Sequence, residues 1–489
     1  MSGRSSGLGD RLRDAGYTAD GILELLGPQA FAALARGETV PALQATADAG
    51  PVGLLTQLFV LQAPVPAAQT TNLVPGYDEL LAAGLLRLDG DQVVALVDIR
   101  PYAADDADYF VVSDLGTGIG GVTGAVQPEH VLGVGGASTT LAQLTVRPPV
   151  GRALDLGTGC GVQALHLTQH AGTVVATDRN PRALRLARLT AELSGVEFEI
   201  REGDLFGPVA GETFDLVVSN PPFVVSPGAR FTYRDSGLPG DELCRRLVAE
   251  APAYLAEGGW CQLLANWLHV EGADWRERLA EWVVPTGCDA WVVQREVQDP
   301  MEYAELWLRD SGDHGTPAYA DLYARWLESF AADGVEGVGF GWITLHKSGS
   351  AQPYTRIEEV RQPVQQPLGD EVSAWFGRRD RLRSLDDAGL LASRVVVDPG
   401  VRLDQESAPV DGEFAVVDRR LRQTGGLRRS GALDDVGLAV VAGCASPRVL
   451  GDLLRAVAVD QGLDPSGFAE GALEAVRSLV EEGFLELEP

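Results

Sequence analysis

The residues with the clearest chemical potential are Asn220-Pro221-Pro222-Phe223, which directly follow the apolar run FDLVVS. Two consecutive prolines restrict the backbone, so the asparagine side-chain oxygen and the Pro221 carbonyl are held in fixed directions. Such a pair of acceptors suits a planar NH2 group, whose lone pair turns out of conjugation toward an electrophile once both hydrogens are bonded. The Phe223 ring can stack on the same planar group. The motif therefore predicts a site for a flat amino or amide nitrogen. The alternative is an Asn-Pro turn that only ends a strand.

A glycine-rich turn lies upstream, in the string Asp155-Leu-Gly157-Thr-Gly159-Cys-Gly161. It closes the run RALDL and precedes VQALHLTQH, so we expect a strand, a turn and a helix in that order. Because glycine has no Cβ, a ligand can approach the backbone amides closely at Gly157, Gly159 and Gly161. A G-x-G-x-G pattern alone is weak evidence, and it gains weight from its position between a strand and a helix.

Two further carboxylates end the next predicted strands. Asp178 follows Asp155 by 23 positions, where a carboxylate can accept hydrogen bonds from two ribose hydroxyls. Asp204, within EGDLF, can accept a hydrogen bond from an adenine amino group. Three carboxylates and no phosphate-binding lysine would repel a pyrophosphate. The pattern therefore predicts a nucleoside ligand without a pyrophosphate.

A near copy of the glycine pattern begins at Asp114, in DLGTGIG. Neither an amphipathic helix nor a strand ending in Asp about 20 residues later follows it, so we interpret it as a strand and a turn. The next segment, VLGVGGAST at 131–139, is predicted to be a loop with a helix cap. It can line the far side of the ligand, although capping alone explains Ser138 equally well.

The elements that position these residues alternate between strand and helix from about 96 to 350, which predicts a mostly parallel sheet covered on both faces. Helices are expected after the first, second, fourth and fifth strands, and a final hairpin can add one antiparallel strand. The predicted strands are Ala153–Leu156, Thr173–Thr177, Glu197–Arg201, Phe214–Ser219, Trp260–Ala265, Ala290–Gln294 and Gly339–Leu345.

Length and patterning predict three domains, since 489 residues correspond to about three units of roughly 150 residues. Residues 1–95 form a helical, winged-helix-like N-terminal domain that ends in a two-stranded ribbon turned at Asp89-Gly90-Asp91. Residues 96–350 form the α/β domain. Residues 351–489 form a mixed accessory domain ending in helices. The accessory domain contains an arginine cluster that can bind phosphate or form a solvated loop; its members are Arg419, Arg420, Arg422, Arg428 and Arg429.

Composition narrows the function classes. The net charge of −30, divided as −5, −17 and −8 over the three predicted domains, disfavours wholesale wrapping of nucleic acid. The five cysteines are far apart and form no C-x-x-C pair, so neither a disulfide framework nor a zinc site is predicted, and a cytoplasmic location fits. The early apolar stretch 52–65 is short and interrupted by glutamines and a proline, so no membrane segment is expected.

The joint spacing of DLGTGCG, ATD, GDLF and NPPF resembles class I S-adenosylmethionine-dependent methyltransferases of the N-P-P-[FY] branch, over about residues 128–350. The resemblance implies a Rossmann-like, seven-stranded, mostly parallel core with one antiparallel strand, and S-adenosylmethionine as cofactor. It implies that Asp155 and the three glycines bound the methionine side, Asp178 the ribose and Asp204 the adenine. Asn220, Pro221 and Phe223 would hold the target nitrogen.

Two acceptor classes stay open within this branch. The stretch after the motif, FVVSPGARFTYRDSGLPGDELCRR, resembles release-factor glutamine methyltransferases, whereas Phe223 in place of the usual tyrosine is similar to several ribosomal RNA methyltransferases. A nucleobase amine of RNA or DNA would need phosphate contacts from the arginine cluster together with Arg245 and Arg246. A protein glutamine would not. A function from another class is a catalytically silent protein that senses S-adenosylmethionine or scaffolds partners.

Overall fold

The computed structural model describes residues 7–105, 107–116, 127–228, 234–235 and 237–488. The chain forms two compact units, one of Met1–Ala142 with Pro148–Glu359 and the other of Gln143–Arg147 with Val360–Pro489. Within the first unit, N-terminal residues such as Leu12 and Phe59 belong to the same apolar cluster as Leu165 and Leu186 of the α/β region. The division into three domains at 95 and 350 therefore stays a prediction.

The helices of the first unit precede and cover its sheet. They are α1 (Leu8–Asp14), α2 (Ala19–Leu34), α3 (Val40–Thr46), α4 (Gly50–Leu55), α5 (Ala67–Leu73), α6 (Tyr77–Ala82), α7 (Gly136–Leu144), α8 (Val162–Leu167), α9 (Pro181–Ser194), α10 (Glu242–Glu250), α11 (Trp275–Val283), α12 (Pro300–Asp310) and α13 (Tyr319–Ala332). Helices α8, α9, α10 and α11 follow the strands predicted to precede a helix.

Three groups of strands belong to this unit. They are β1 (Val65–Pro66), β2 (Leu86–Asp89), β3 (Gln92–Ala95), β4 (Asp98–Ala104), β5 (Ala107–Ser113), β6 (Val150–Leu156), β7 (Ala171–Asp178), β8 (Glu199–Glu202), β9 (Phe214–Ser219), β10 (Leu255–Val270), β11 (Asp289–Gln298), β12 (Val335–His346) and β13 (Thr355–Glu359). Strands β2 and β3 form the predicted ribbon, which turns at Gly90 with φ of 65°.

The main sheet has the order β13-β11-β12-β10-β9-β6-β7-β8. Strands β8, β7, β6, β9 and β10 run parallel, and β12 is antiparallel to both of its neighbours, so the predicted mostly parallel sheet with one antiparallel strand is confirmed. All seven predicted strands are present. The sheet also contains an eighth, β13, which pairs in parallel with β11. Its sequence, TRIEE, is largely polar and gives no apolar run from which to predict a strand.

The central strands of the sheet are continuous apolar runs because they are buried in its core. Leu154, Val175, Val217, Val292 and Ile343 have no exposed surface, because helices cover both faces of a parallel sheet. Two glycines of β12, Gly339 and Gly341, lie against the buried indole of Trp267. The indole N–H donates to Oε1 of Gln294 at 2.7 Å, so this large side chain is buried without losing its hydrogen bond.

A two-stranded hairpin formed by β4 and β5 was not predicted from the sequence. Its β5 edge is closed by helix α9: the amide of Val112 donates to Oγ1 of Thr190 at 2.9 Å, and the amide of Phe110 donates to Oγ of Ser194 at 3.0 Å. These side chains satisfy backbone donors that an edge strand would otherwise leave unpaired. The hairpin is thereby fixed against the helix that follows β7.

The second unit contains helices and two antiparallel sheets of its own. The helices are α14 (Gly369–Arg383), α15 (Asp387–Ala392), α16 (Asp435–Gly443), α17 (Leu450–Asp460) and α18 (Pro465–Glu481); the strands are β14 (Arg394–Val397), β15 (Val401–Val410), β16 (Glu413–Gln423), β17 (Ser430–Ala432), β18 (Arg448–Val449) and β19 (Leu485–Leu487). The sheets have the orders β18-β14-β19 and β15-β16-β17. A search of the described helices found none with the length and apolar character needed to cross a bilayer.

Candidate active site

A cavity of about 710 Å³ lies in the first unit at the carboxyl ends of β6, β7, β8 and β9. Neighbouring strand ends meet there because Leu156 of β6 is in register with Thr177 of β7 and with Ser219 of β9. Parallel strands carry the residues that follow them to one edge of the sheet. Six of the nine predicted site residues line the cavity: Gly157, Gly159, Asp178, Asp204, Asn220 and Pro221.

The glycine turn is open toward this cavity. Gly157 and Gly159 have φ of 76° and 56°, and a Cβ at either would meet no atom within 4 Å. The turn is tied to β7 because the amide of Gly157 donates to the Thr177 carbonyl at 2.9 Å, so the open space lies over the α-carbons rather than over free amides. Gly161 differs, since a Cβ there would lie 3.3 Å from Cζ of Phe198 and 3.5 Å from Cα of Ala187 in α9. Its φ of 90° favours glycine, and the residue is absent from the described lining of the cavity.

Asp155 lies behind the turn and does not line the cavity in the part of the chain that the structure describes. Its side chain is buried, and its Oδ2 accepts hydrogen bonds from Oγ1 of Thr158 at 2.6 Å and from the amide of Ala164 at 3.0 Å. These bonds brace both sides of the glycine turn. Burial raises the pKa of Asp155 to about 7, although the two hydrogen bonds act in the opposite direction.

Asp178 lines the cavity and also shapes it. Its Oδ2 accepts from the amide of Gly159 at 2.9 Å, and its Oδ1 accepts from the amide of Asn180 at 2.8 Å. Burial raises the pKa of Asp178, and these backbone bonds oppose the shift. Each carboxylate oxygen has a second lone pair, so both can still accept a ligand hydroxyl.

Asp204 is exposed at the mouth of the cavity, in the turn after β8. The next residue, Leu205, also lines the cavity and has φ of 46°, a left-handed conformation that branched side chains avoid. Such strain persists only where the surroundings enforce it and often occurs at ligand sites.

The Asn-Pro-Pro-Phe motif brings only part of its predicted set to the cavity. Asn220 and Pro221 line it, together with Ser219, whose hydroxyl donates to the Leu156 carbonyl at 2.8 Å and joins the two strand ends. The Pro221 carbonyl already accepts the Phe223 amide at 2.7 Å, which leaves one lone pair for a ligand. Phe223 is half-buried against two apolar clusters and is not among the described lining residues.

The segment after the motif is held by helix α12, which lies with α13 in an insertion between β11 and β12. The Tyr303 hydroxyl accepts from the Val225 amide at 3.0 Å and from Nδ2 of Asn266 at 2.8 Å. Arg234 donates to the Trp307 carbonyl at 2.7 Å. Residues 229–233 and 236, within the stretch compared with release-factor enzymes, lie outside the described residues.

Several residues that line the cavity were missed from the sequence. Trp307 and Asp310 come from the α12–α13 insertion, and Asp98 and Arg100 come from β4. None belongs to a motif, so a residue-type signal could not find them. Residues 131–138 line the cavity as predicted, although only 131–135 are loop: α7 begins at Gly136, so Ser138 lies inside the helix rather than at its cap. Asp114 of the near-copy motif stabilises that loop, because it accepts from the Val131 amide at 2.9 Å and forms an ion pair with Arg182. Gly118 and Gly120 lie outside the described residues.

Comparison with known families divides the chain into three matched stretches. Residues 133–272 match the methyltransferase small domain, which confirms the predicted resemblance for that part of the chain. Residues 14–96 and 373–487 match two different domains of unknown function, DUF7059 and DUF7782. The methyltransferase match contains the glycine turn, all three carboxylates and the Asn-Pro-Pro-Phe motif.

Individual relatives agree with this match. The release factor glutamine methyltransferase of Xylella fastidiosa is 38% identical over 129 residues, covering 24% of this chain and 47% of that protein. The ribosomal RNA small subunit methyltransferase C of Alcanivorax borkumensis is 35% identical over 116 residues, covering 24% of this chain and 32% of that protein. This chain thus spans half or less of the length of these relatives. A solved methyltransferase from Pyrococcus furiosus aligns at 17% identity with a TM-score of 0.27, covering 43% of this chain and 81% of that one.

Proposed function

We propose, from the methyltransferase small domain at residues 133–272, that this protein is an S-adenosylmethionine-dependent N-methyltransferase acting on a planar NH2 nitrogen of a macromolecule. The observation that carries the proposal is the joint presence of the glycine turn, Asp178, Asp204 and Asn220 around one cavity. A cytoplasmic location belongs to the same proposal.

The residues present fit this cofactor. Gly157 and Gly159 leave open space at the turn. A nucleoside thioether or sulfonium needs this space to approach the backbone closely. Asp178 retains acceptor capacity for ribose hydroxyls, and Asp204 is an exposed acceptor at the mouth for an adenine amine. Acidic residues around the cavity also favour a cationic ligand over one with a phosphate.

In the proposed reaction the chain contributes orientation. When bound, S-adenosylmethionine supplies a methyl group already activated by a sulfonium, so the site needs no strong base. The target NH2 group donates one hydrogen bond to Oδ1 of Asn220 and one to the free lone pair of the Pro221 carbonyl. These two bonds direct the lone pair of the target nitrogen. Phe223 can stack on the planar group that receives the methyl only if its side chain moves out of its half-buried position. We therefore propose a stacking role for Phe223 that depends on this movement.

The arginines needed for a nucleic acid acceptor are mostly neutralised by carboxylates. Arg245 pairs with Glu242 and Arg246 with Glu250, both at 2.6 Å. In the second unit Arg419, Arg420 and Arg422 pair with Asp435, Asp418 and Asp404 at 2.5, 2.8 and 2.7 Å. Paired arginines offer little net charge to a phosphate backbone. These pairs support a protein glutamine over a nucleobase amine, which stays the second candidate.

The test is methyl transfer from isotopically labelled S-adenosylmethionine to cell extract separated into protein and nucleic acid, with mass spectrometry of the labelled product. We expect label in protein, at a glutamine, and little change in acceptor affinity as salt is raised. Asn220→Ala should reduce turnover far more than cofactor affinity, whereas Asn72→Ala, at an exposed position of α5, should match the wild type. Label in nucleic acid would select the second candidate, and cofactor binding without any transfer would select a sensing or scaffold role.

A further inference from the structure

The hairpin β4–β5 contributes to the cavity a pair of opposite charges, a buried aspartate and a half-exposed arginine, that the sequence motifs do not explain. Nη2 of Arg100 donates to Oδ2 of Asp98 at 2.7 Å. The Asp98 side chain is 8% exposed and that of Arg100 is 42% exposed, and both residues line the cavity. These residues lie outside the stretch matched by the methyltransferase family.

Each partner has hydrogen-bonding capacity left over. Oδ1 of Asp98 and Nε of Arg100 are buried and have no hydrogen-bond partner within the described part of the chain. A buried polar atom without a partner costs roughly 1–3 kcal/mol, so natural proteins keep such atoms mainly where a ligand or water completes them. Because both atoms are buried, a ligand can bond to them only if the guanidinium of Arg100, whose side chain is 42% exposed, rotates away from the carboxylate.

A sulfonium has three substituents, and placing them in the cavity shows which of them lies beside the charged pair. Asp178 and Asp204 assign the adenosine substituent to the ends of β7 and β8, and Asn220 assigns the transferred methyl to the end of β9. The third substituent must occupy the rest of the cavity, which is lined there by Cys160 of the glycine turn and by Arg100 of the hairpin.

The charged pair and Cys160 of the glycine turn line the same cavity. Burial raises the pKa of the Cys160 thiol to about 12, and the Asp98 carboxylate adds to that shift. Burial also raises the pKa of Asp98 to about 6, against the opposing charge of Arg100. An incoming cation beside this carboxylate would favour its ionised form.

We propose that Asp98 and Arg100 form a clamp for the α-amino acid end of the cofactor, with Asp98 accepting hydrogen bonds from its ammonium group and Arg100 donating to its carboxylate. The inference rests on the proposed function and adds to it two binding residues outside the matched domain. An α-amino acid carries its two charges on atoms of one carbon, so a neighbouring carboxylate and guanidinium are complementary to it. The internal ion pair is exchanged for two ion pairs with the ligand, so the net charge of the cavity wall is unchanged.

Two ligands that differ only at this end provide the test. S-adenosylhomocysteine contains the amino acid, and 5′-methylthioadenosine replaces it with a methyl group. Isothermal titration of the full chain should give a wild-type preference of about tenfold or more for S-adenosylhomocysteine. Arg100→Ala and Asp98→Asn should each weaken binding of S-adenosylhomocysteine by about ten- to a hundredfold and change binding of 5′-methylthioadenosine by no more than about twofold.

A matched control is available on β2, where Arg87 and Asp89 have the same i, i+2 spacing at 3.8 Å but are 60% and 69% exposed. Arg87→Ala and Asp89→Asn should alter neither affinity. Arg100→Gln provides a second probe if Asp98→Asn unfolds at the assay temperature. Unchanged binding of S-adenosylhomocysteine in the Arg100 variants, or equal loss of both ligands, overturns the clamp. A wild type that binds both ligands equally overturns the clamp alone, whereas one that binds neither also overturns the proposed function.

Discussion

The glycine turn allows a prediction that separates backbone strain from ligand contact. Gly159 and Gly195 both have positive φ, 56° and 72°, and a Cβ at either would meet no atom within 4 Å. They differ in location, because Gly159 faces the cavity and Gly195 ends helix α9 at an exposed position. Alanine at each position should therefore impose the same conformational penalty in different surroundings.

The magnitude of that penalty is about 1–2 kcal/mol, the cost of a left-handed conformation for a residue with a Cβ. We expect Gly159→Ala and Gly195→Ala to lower the free energy of unfolding of the first unit by similar amounts in this range. The hydrogen bond from the residue 159 amide to Asp178 survives the substitution, because it involves only the backbone on that side. The stability difference between the two variants should thus be small.

Cofactor binding should separate the two variants. A methyl group in the cavity collides with a ligand that approaches the turn, and such overpacking costs about 1–3 kcal/mol, or roughly ten- to a hundredfold in affinity. Titration calorimetry with S-adenosylhomocysteine should therefore show this loss for Gly159→Ala and wild-type affinity for Gly195→Ala. Wild-type affinity in both variants, with both equally destabilised, would refute the assignment of the turn as a ligand surface.

Three other perturbations test separate parts of the first unit. Burial raises the folded-state pKa of Asp155 to about 7, so its contribution to stability is present below about pH 4 and is lost as pH rises toward 7; Asp155→Asn should flatten that loss in thermal unfolding followed from pH 5 to 8. Tyr303→Phe removes the acceptor for Val225 and Asn266; we expect a loss of about 1–3 kcal/mol in stability and lower turnover, with unchanged affinity for S-adenosylhomocysteine. Gly341→Ala would force a Cβ against the Val293 carbonyl, so it should cost at least about 3 kcal/mol and reduce soluble expression, and wild-type stability would contradict the packing described for β12.

The sequence predicted the sheet and the convergence of its motifs because both follow from local patterns. Apolar runs marked six of the seven strands expected, the exception being the alternating EFEIR at 197–201, and strands that run parallel bring the residues after them to one edge. Asp178, Asp204 and Asn220 could therefore be expected to meet without any knowledge of side-chain contacts.

The remaining features depend on tertiary contacts that no local pattern encodes. The hairpin β4–β5 includes Pro101 within β4 and is completed by hydroxyl groups of α9 more than 75 residues away along the chain. Asp155 and Gly161 belong to the motif but not to the described lining of the cavity, and the hydrogen bonds by which Asp155 braces the turn are not encoded in it, so their part in cofactor binding stays a prediction. Phe223 packs against two apolar clusters and is absent from the described lining of the cavity, a placement that the motif does not encode.

Helix α12, which lies with α13 between β11 and β12, lines the cavity from a different part of the chain than the sequence motifs do. The glycine turn and the carboxylates come from β6, β7 and β8, whereas Trp307 and Asp310 come from a segment that starts and ends in an antiparallel strand pair. Under the proposed function, exchange of this one segment between relatives would therefore be expected to change acceptor choice more than cofactor binding.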